Sequence, residues 1–157
     1  MINKRARKVA EELITIDPAK ESDLDSILNL LAACNLPSEG LSDHIRTAFV
    51  ARAGKTTIGC AALEIYGKAA LLRFVAVAEG YRSQGLGGRL VQTILDGAKE
   101  AGITRAYLLT ETAVRYFSRF GFRPIDRSKV PPDVQNSVEF TSVCPVSALA
   151  MELRLGE

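Results

Sequence analysis

The chain has 157 residues, 47% of them hydrophobic, with 20 Lys and Arg against 18 Asp and Glu and a formal net charge of +2. That length suits one domain, 1–157, with a sizeable core, and the near balance of charge argues against nucleic acid as a partner. Lys4, Arg5, Arg7 and Lys8 form a basic head, but Glu11, Glu12 and Asp17 interrupt any apolar run that could make a signal peptide or membrane span, so a soluble, cytoplasmic protein is expected.

Residues 13–16 alternate and are β-branched, and Asp17-Pro18 ends the run, which predicts a first strand and a turn. Ser22 with Asp25 three residues on reads as a helix start. Leu24, Ile27, Leu28 and Leu31 follow at helical spacing, and the helix stops before Asn35-Leu36-Pro37. Residues 38–45 form a polar connector in which His44 reads as a surface or capping residue. Residues 46–52 and 56–66 read as strands joined at Ala53-Gly54-Lys55, and Gly67-Lys68 turns into a third strand ending at Val77, giving three antiparallel strands in succession. Residues 87–101 form the second long helix, with Leu90, Val91, Ile94, Leu95 and Ala98 on one face and Gly102 as its stop. A buried strand over 104–110, a helix over 112–120 ended by Gly121, a strand from Phe122, a loop at Pro131-Pro132 and a last strand over 148–155 complete a mixed α/β order without repeats. Cys34, Cys60 and Cys144 are odd in number and widely spaced, with only His44 to help, so no metal pattern can be written and reduced, mostly buried thiols are expected.

The junction between the third strand and the second long helix says most about function. A helix start presents unpaired N–H groups and the positive end of the macrodipole, and Gly85, Gly87 and Gly88 let the main chain approach an anion such as a diphosphate, with Arg82 adding charge. No Lys followed by Ser or Thr closes the turn, which excludes a nucleoside-triphosphate loop, and Leu90 stands where a dinucleotide fingerprint needs its third glycine. Arg82-x-x-Gly85-x-Gly87 after Val75-Ala76-Val77 resembles the acetyl-CoA loop of the GNAT N-acetyltransferase superfamily, and the run from Tyr116 to Phe122 resembles that superfamily's Tyr-x-x-x-Gly-Phe element. The resemblance implies the GNAT fold: a mostly antiparallel twisted sheet flanked by helices, with strands 71–77 and 104–110 splayed to admit the pantetheine arm of acetyl-CoA. It also implies main-chain pairing of pantetheine with Val75, Ala76 and Val77, diphosphate held by amides of Arg82, Ser83, Gln84, Gly85, Leu86 and Gly87, Thr110 where many members place a cofactor-contacting asparagine, and a sheet-edge homodimer.

Acetyl transfer to an amine needs a base for the ammonium proton and a route to protonate the departing thiolate. In many GNAT enzymes a tyrosine serves the thiolate, but its position here is Phe117, leaving water, or the neighbouring Tyr116, which reads first as a packing residue and second as the acid. Glu64 lies in an otherwise apolar strand, where burial would raise its pKa and suit it as a base; alternatively Arg73 on the neighbouring strand pairs with it as a structural ion pair. Arg73 could equally bind a substrate carboxylate or phosphonate-like anion, and Glu111 is either a second base or a helix-start acid.

The segment from Glu139 to Ala148, with Tyr107 to Thr110 and Cys34 to Pro37, is similar to the arsenic-resistance N-acetyltransferases of the ArsN type. That similarity implies acetylation of a small toxic amine, with amino-acid-like arsenicals such as arsinothricin as the family suggestion. Ser142, Cys144 and Ser147 either line an acceptor pocket or hold the loop before the last strand. The expected function is direct acetyl transfer to a small amine within a ternary complex, with no covalent enzyme intermediate and no metal. A non-catalytic acyl-CoA sensor and a protein-directed acetyltransferase are the rival readings.

Overall fold

Seven strands, β1 (Ile14–Pro18), β2 (Ala48–Ala53), β3 (Thr56–Tyr66), β4 (Ala69–Val77), β5 (Arg105–Thr110), β6 (Arg123–Ile125) and β7 (Leu149–Arg154), hydrogen-bond in the order β1-β2-β3-β4-β5-β7-β6 in a computed structural model that describes residues 13–143 and 145–156. The basic head at Lys4, Arg5, Arg7 and Lys8, and Cys144, lie outside the described residues. The helices are α1 (Leu24–Ala33), α2 (Leu86–Glu100), α3 (Val114–Ser118) and α4 (Pro132–Gln135). β1 with β2, β2 with β3, β5 with β7 and β6 with β7 are antiparallel, whereas β4 and β5 are parallel. Among the described residues that parallel pairing covers Ala69↔Arg105, Ala70↔Ala106 and Leu71↔Tyr107 and stops there, although β4 continues to Val77 and β5 to Thr110.

The described chain forms two compact units. One comprises the described residues up to Ala62 together with Phe74–Val91, and the other comprises Leu63–Arg73 and the described residues from Gln92 onward. In the first, the apolar face of α1 buries Ile27, Leu30 and Leu31 with Val50, Cys60, Phe74 and Ala76 of the strands and with Leu41 and Ile45 of a 3-10 turn, Leu41–Thr47. Gly59 of β3 allows close packing there: a Cβ at that position would lie 2.8 Å from Leu90 Cδ1 and 3.3 Å from both Ala51 Cβ and the Ala76 carbonyl. In the second unit Leu71, Tyr107, Leu109 and Ala150 of the strands pack with Val130 and with Val134 of α4.

Several element edges differ from the expectation for physical reasons. β1 runs through Asp17 and Pro18, pairing Pro18 with Phe49, because an edge strand does not need the N–H that proline lacks. Helix entry is a 3-10 turn, Glu21–Asp23, in which Asp23 rather than Ser22 holds the start: Lys20 N–H donates to Asp23 Oδ2 at 2.7 Å, and Arg52 also pairs with Asp23. β2 begins only at Ala48, after the 3-10 turn has taken up residues 46 and 47. The helix expected over 112–120 shortens to α3, since Thr110 Oγ1 accepts Ala113 N–H at 2.9 Å and shapes the preceding bend. Pro131-Pro132 opens α4, where a proline at the first turn sacrifices no helical bond. A π-type turn, Glu139–Val143, follows in a stretch with no helical signal in its sequence.

Candidate active site

β4 leaves the sheet at Val77 and enters a 3-10 turn, Glu79–Tyr81, before α2 begins at Leu86. Between them Ser83 has φ +66° and Gly85 φ +80°, and the first helical bond is Arg89 N–H to the Gly85 carbonyl at 3.1 Å. No hydrogen bond among the described residues uses the backbone N–H of Ser83, Gln84, Gly85, Leu86, Gly87 or Gly88. Leu86 is buried and pins the turn, leaving a row of open amides at the positive end of a 15-residue helix. This arrangement fits a diphosphate. Two details depart from the expectation: the Arg82 N–H donates to Glu79 O at 3.3 Å, so the open row starts one residue later, and the Arg82 guanidinium turns back onto the strand. Its Nε donates to Val77 O at 2.9 Å and its Nη2 lies 3.4 Å from Cys34 Sγ, so Arg82 braces the turn. Val75 and Val77 are half-buried and Ala76 is buried. Just before them, Phe74 has φ +59°, a strained value for a bulky residue, and its carbonyl accepts Cys60 Sγ–H at 3.0 Å. Burial pushes the Cys60 thiol up to about 12, with Cys34 adding to the shift, so Cys60 is a packing thiol.

In the second unit Glu64 and Arg73 do come together. Arg73 Nη1 donates to Glu64 Oε2 at 2.7 Å, and both side chains are almost fully buried. Tyr66 Oη–H donates to Glu64 Oε1 at 2.6 Å, and Ser137 Oγ–H donates to the same oxygen at 2.5 Å. A second carboxylate, Glu139 Oε2, stands 3.6 Å from Arg73 Nε. Burial alone would raise the Glu64 pKa, but the hydrogen bonds from Ser137, Tyr66 and Arg73, with the guanidinium charge, outweigh it and hold the carboxyl below its ordinary value. The expected upward shift is thereby reversed. Burial and the bond to Glu64 push the Tyr66 phenol up to about 12. Tyr66, Ser137 and Glu139 were not singled out from the sequence as partners of this pair; Ser137 lies 73 positions from Glu64, and no local pattern links them.

A family model described as an acetyltransferase (GNAT) domain matches residues 44–124, just over half of the chain and the part that carries both β4 and the turn. The chain belongs to the GNAT acetyltransferase family. It is 33% identical over 97 residues to an uncharacterised N-acetyltransferase of Chlorobaculum tepidum, covering 61% of this chain and 62% of the relative. It is 29% identical over 132 residues to the amino-acid acetyltransferase of Escherichia coli K12, covering 78% of this chain but 30% of that protein. The chain thus spans less than two thirds of the length of either relative. Among solved structures, N-acetylglutamate synthase from Neisseria gonorrhoeae, complexed with coenzyme A and N-acetyl-glutamate, superposes with a TM-score of 0.79 at 22% identity, over 94% of this chain and 36% of that one.

The remaining positions expected from the sequence are Thr110, Glu111, Tyr116 and Ser147. Thr110 is buried and its hydroxyl is engaged by the Ala113 amide. Glu111 is exposed in the bend after β5. Tyr116 is half-buried on α3, edge-on to Phe117 at 5.1 Å and to Phe120 at 5.5 Å, with the Arg119 guanidinium 6.0 Å from its ring centre. Burial raises its phenol pKa. Phe117 itself packs edge-on to Phe122 at 6.0 Å. Ser147 is exposed in a turn whose neighbouring carbonyls, Pro145 and Ala148, accept Arg127 Nη1 at 3.0 and 3.2 Å. The described residues contain no group of three or more His, Cys, Asp or Glu able to hold a metal, and none of their helices is long and apolar enough to cross a membrane.

Proposed function

We propose that this chain is an acetyl-CoA-dependent N-acetyltransferase whose acceptor is a small amine of amino-acid type, with direct transfer in a ternary complex. The observation that carries the reading is the row of open amides from Ser83 to Gly88 at the start of α2. A single helix terminus contributes only about 0.3–1 kcal/mol per charge, so several direct, charge-assisted hydrogen bonds supply most of the diphosphate affinity. The family match and the amino-acid acetyltransferase relatives support the same reading. Acetyl-CoA, when bound, supplies an activated thioester. The chain's residues do the rest: the main chain of Val75, Ala76 and Val77 pairs the pantetheine arm, amides from Ser83 to Gly87 hold the diphosphate, and Arg82 keeps the turn in shape.

Glu64 is a poor base, because its carboxylate is held low and accepts from Tyr66, Ser137 and Arg73. Its role is to fix Arg73, while exposed Glu111 is the better candidate to take the ammonium proton through water. Tyr116 or water returns a proton to the thiolate. Thr110 shapes the bend beside Glu111, and Ser147 lies on the acceptor side. An amino-acid-like arsenical belongs to this acceptor class, on the resemblance carried by residues 139–148, 107–110 and 34–37. A sheet-edge homodimer is part of the same proposal.

Titration of the purified protein with acetyl-CoA, followed by thiol release over a panel of amino acids, polyamines and arsinothricin, tests the reading. Micromolar association and release with at least one amino acid are expected. Absence of association would end the enzymatic assignment. Association without release on any amine would favour an acyl-CoA sensor, a reading that Phe117, in the position of the family's tyrosine, specifically supports. Release only with peptide amines would favour a protein substrate.

A further inference from the structure

We infer that the cavity between the start of β5 and the end of β7 is a binding site for a phosphate dianion, free or carried as a small monoester, held between Arg105 and Arg154. The inference is independent of the proposed acetyltransferase function. Every residue it uses lies in the second unit, and Arg105 stands at the far end of β5 from Thr110, roughly 17 Å along the strand.

Sheet register creates the arrangement. Arg105 and Arg154 are direct partners in the antiparallel pairing of β5 with β7, so their side chains leave the same face of the sheet with Cβ atoms about 4.5–5.5 Å apart. Like charges set opposite each other in this way oppose the pairing. Only one of the two receives a counter-charge: Arg105 Nη1 donates to Glu152 Oε2 at 3.2 Å, and the same oxygen accepts Tyr107 Oη–H at 2.9 Å. Among the described residues no ion pair or hydrogen bond engages the guanidinium of Arg154, which is exposed. Arg123, opposite Glu152 on β6, adds a third guanidinium to that face. Three cations thus face one carboxylate, leaving an excess of two positive charges. Arg105 and Arg154 open on a cavity of about 590 Å³ lined by these two residues with Thr104, Leu155 and Gly156. Its walls are fixed by the main chain, since Leu155 N–H donates to Thr104 O and Thr104 N–H donates to Lys68 O, both at 2.8 Å.

The chemistry of the donors selects the ligand. A guanidinium is a planar fork that matches phosphate oxygens, and two of them side by side can each take different oxygens of one tetrahedral group. A carboxylate offers two oxygens in one plane and saturates a single fork. A phosphate monoester carries about −1.5 to −2 charges at neutral pH, which matches the excess of two. Its arrival replaces the repulsion between Arg105 and Arg154 with charge-assisted contacts to both. The cavity falls within the range of about 300–1,000 Å³ typical of small-molecule clefts, so a short carbon skeleton attached to the phosphate fits beside Leu155 and the Thr104 hydroxyl.

The test follows the backbone amide signals of Arg105, Leu155 and Gly156 by nuclear magnetic resonance in the full-length protein as inorganic phosphate, glycerol 3-phosphate or succinate is added at constant ionic strength. Saturable shifts of these amides with the phosphates are expected, at least fivefold weaker in affinity in Arg154→Gln, with succinate binding more weakly than either. Tighter binding of glycerol 3-phosphate would identify an esterified ligand and tighter binding of inorganic phosphate a free one. Thermal unfolding supplies a second readout: phosphate should raise the melting temperature of the wild type more than that of Arg154→Gln, because a ligand stabilises only the form that binds it. Shifts that do not saturate, equal affinity in the variant, succinate binding as tightly as the phosphates, or equal thermal gains in both proteins would each overturn the inference. Because the readout is local to the cavity, phosphate binding at the turn before α2 does not imitate it, and failure of acetyl-CoA association would leave this inference standing.

Discussion

The carboxylate of Glu64 is buried among three donors, and the consequences of losing it follow from what it leaves behind. Replacing Glu64 with Gln removes the carboxylate charge 2.7 Å from a buried guanidinium, and such broken buried pairs cost about 3–5 kcal/mol. Urea unfolding of Glu64→Gln should show a loss of that order with an unchanged slope. The pH dependence has a definite sign. The folded carboxyl titrates below its ordinary value of 4.5, so on acidification the unfolded chain takes up its proton first. The stabilisation is complete above that value and is lost as pH falls through the lower folded value. Asp23, held below 3.8 by Arg52 and Lys20 against the effect of burial, acts in the same direction. The melting temperature should therefore hold above about pH 5 and fall below it, and the fall should be shallower in Glu64→Gln. The pairing of Glu64 with Arg73 was legible as one of two alternatives, because the Gly67-Lys68 turn brings the strand of Arg73 back beside that of Glu64. The sign of the Glu64 shift was not: it depends on Ser137 and Tyr66, and sequence burial arguments count desolvation without knowing the donors.

At the scale of elements, the approach of α2 to β3 and the geometry of its first turn are set by two glycines with different reasons for being glycine. At Gly59 the constraint is space, since a Cβ would press on Leu90, Ala51 and the Ala76 carbonyl. Gly59→Ala should cost about 1–3 kcal/mol, and Leu90→Val in the same chain should restore part of it, as read by thermal unfolding. At Gly85 the space is open and the constraint is φ +80°. Gly85→Ala should destabilise by about 1–2 kcal/mol and, by tilting the neighbouring amides, weaken acetyl-CoA association at least fivefold in a binding titration. The turn was legible because glycine spacing and a strand-to-helix transition are local signals. Strand and helix existence followed from periodicity, whereas the edges at Pro18, Ala48 and Ser118 moved because an edge position, a 3-10 turn and the Thr110 cap decided them. The π-type turn over Glu139–Val143 has no periodic signature at all, which is why the residue facing Arg73 from it escaped notice.

For the whole molecule, chain order and compactness do not coincide. Each unit is assembled from separated stretches, the second needing Leu63–Arg73 as well as the residues from Gln92 onward. A fragment 92–157 lacks the strand segment that pairs Ala69 to Leu71 with β5, and it lacks Leu71 from its own core. Expressed alone, that fragment should show no cooperative thermal transition by circular dichroism, whereas adding back 63–73 ahead of it through a flexible linker should restore one. The mixed order of strands and helices was readable from alternating periodicities, and it pointed correctly to the family's sheet. The interleaving of the two units was not readable, because it depends on contacts that change sides at three peptides, 62–63, 73–74 and 91–92.

The second of those peptides joins Arg73 to Phe74, and Phe74 is the buried residue held at φ +59°. Upstream of it lie Glu64, Tyr66 and Arg73; downstream lie Val75 to Val77 and the amides of the turn. Substitutions within 63–73 fall in the second unit and leave the main chain of Val75 to Val77 and the turn, which belong to the first, in place. Under the proposed function, acceptor preference is then open to redesign by exchanging residues 63–73 together with Ser137 as one block that ends at Phe74.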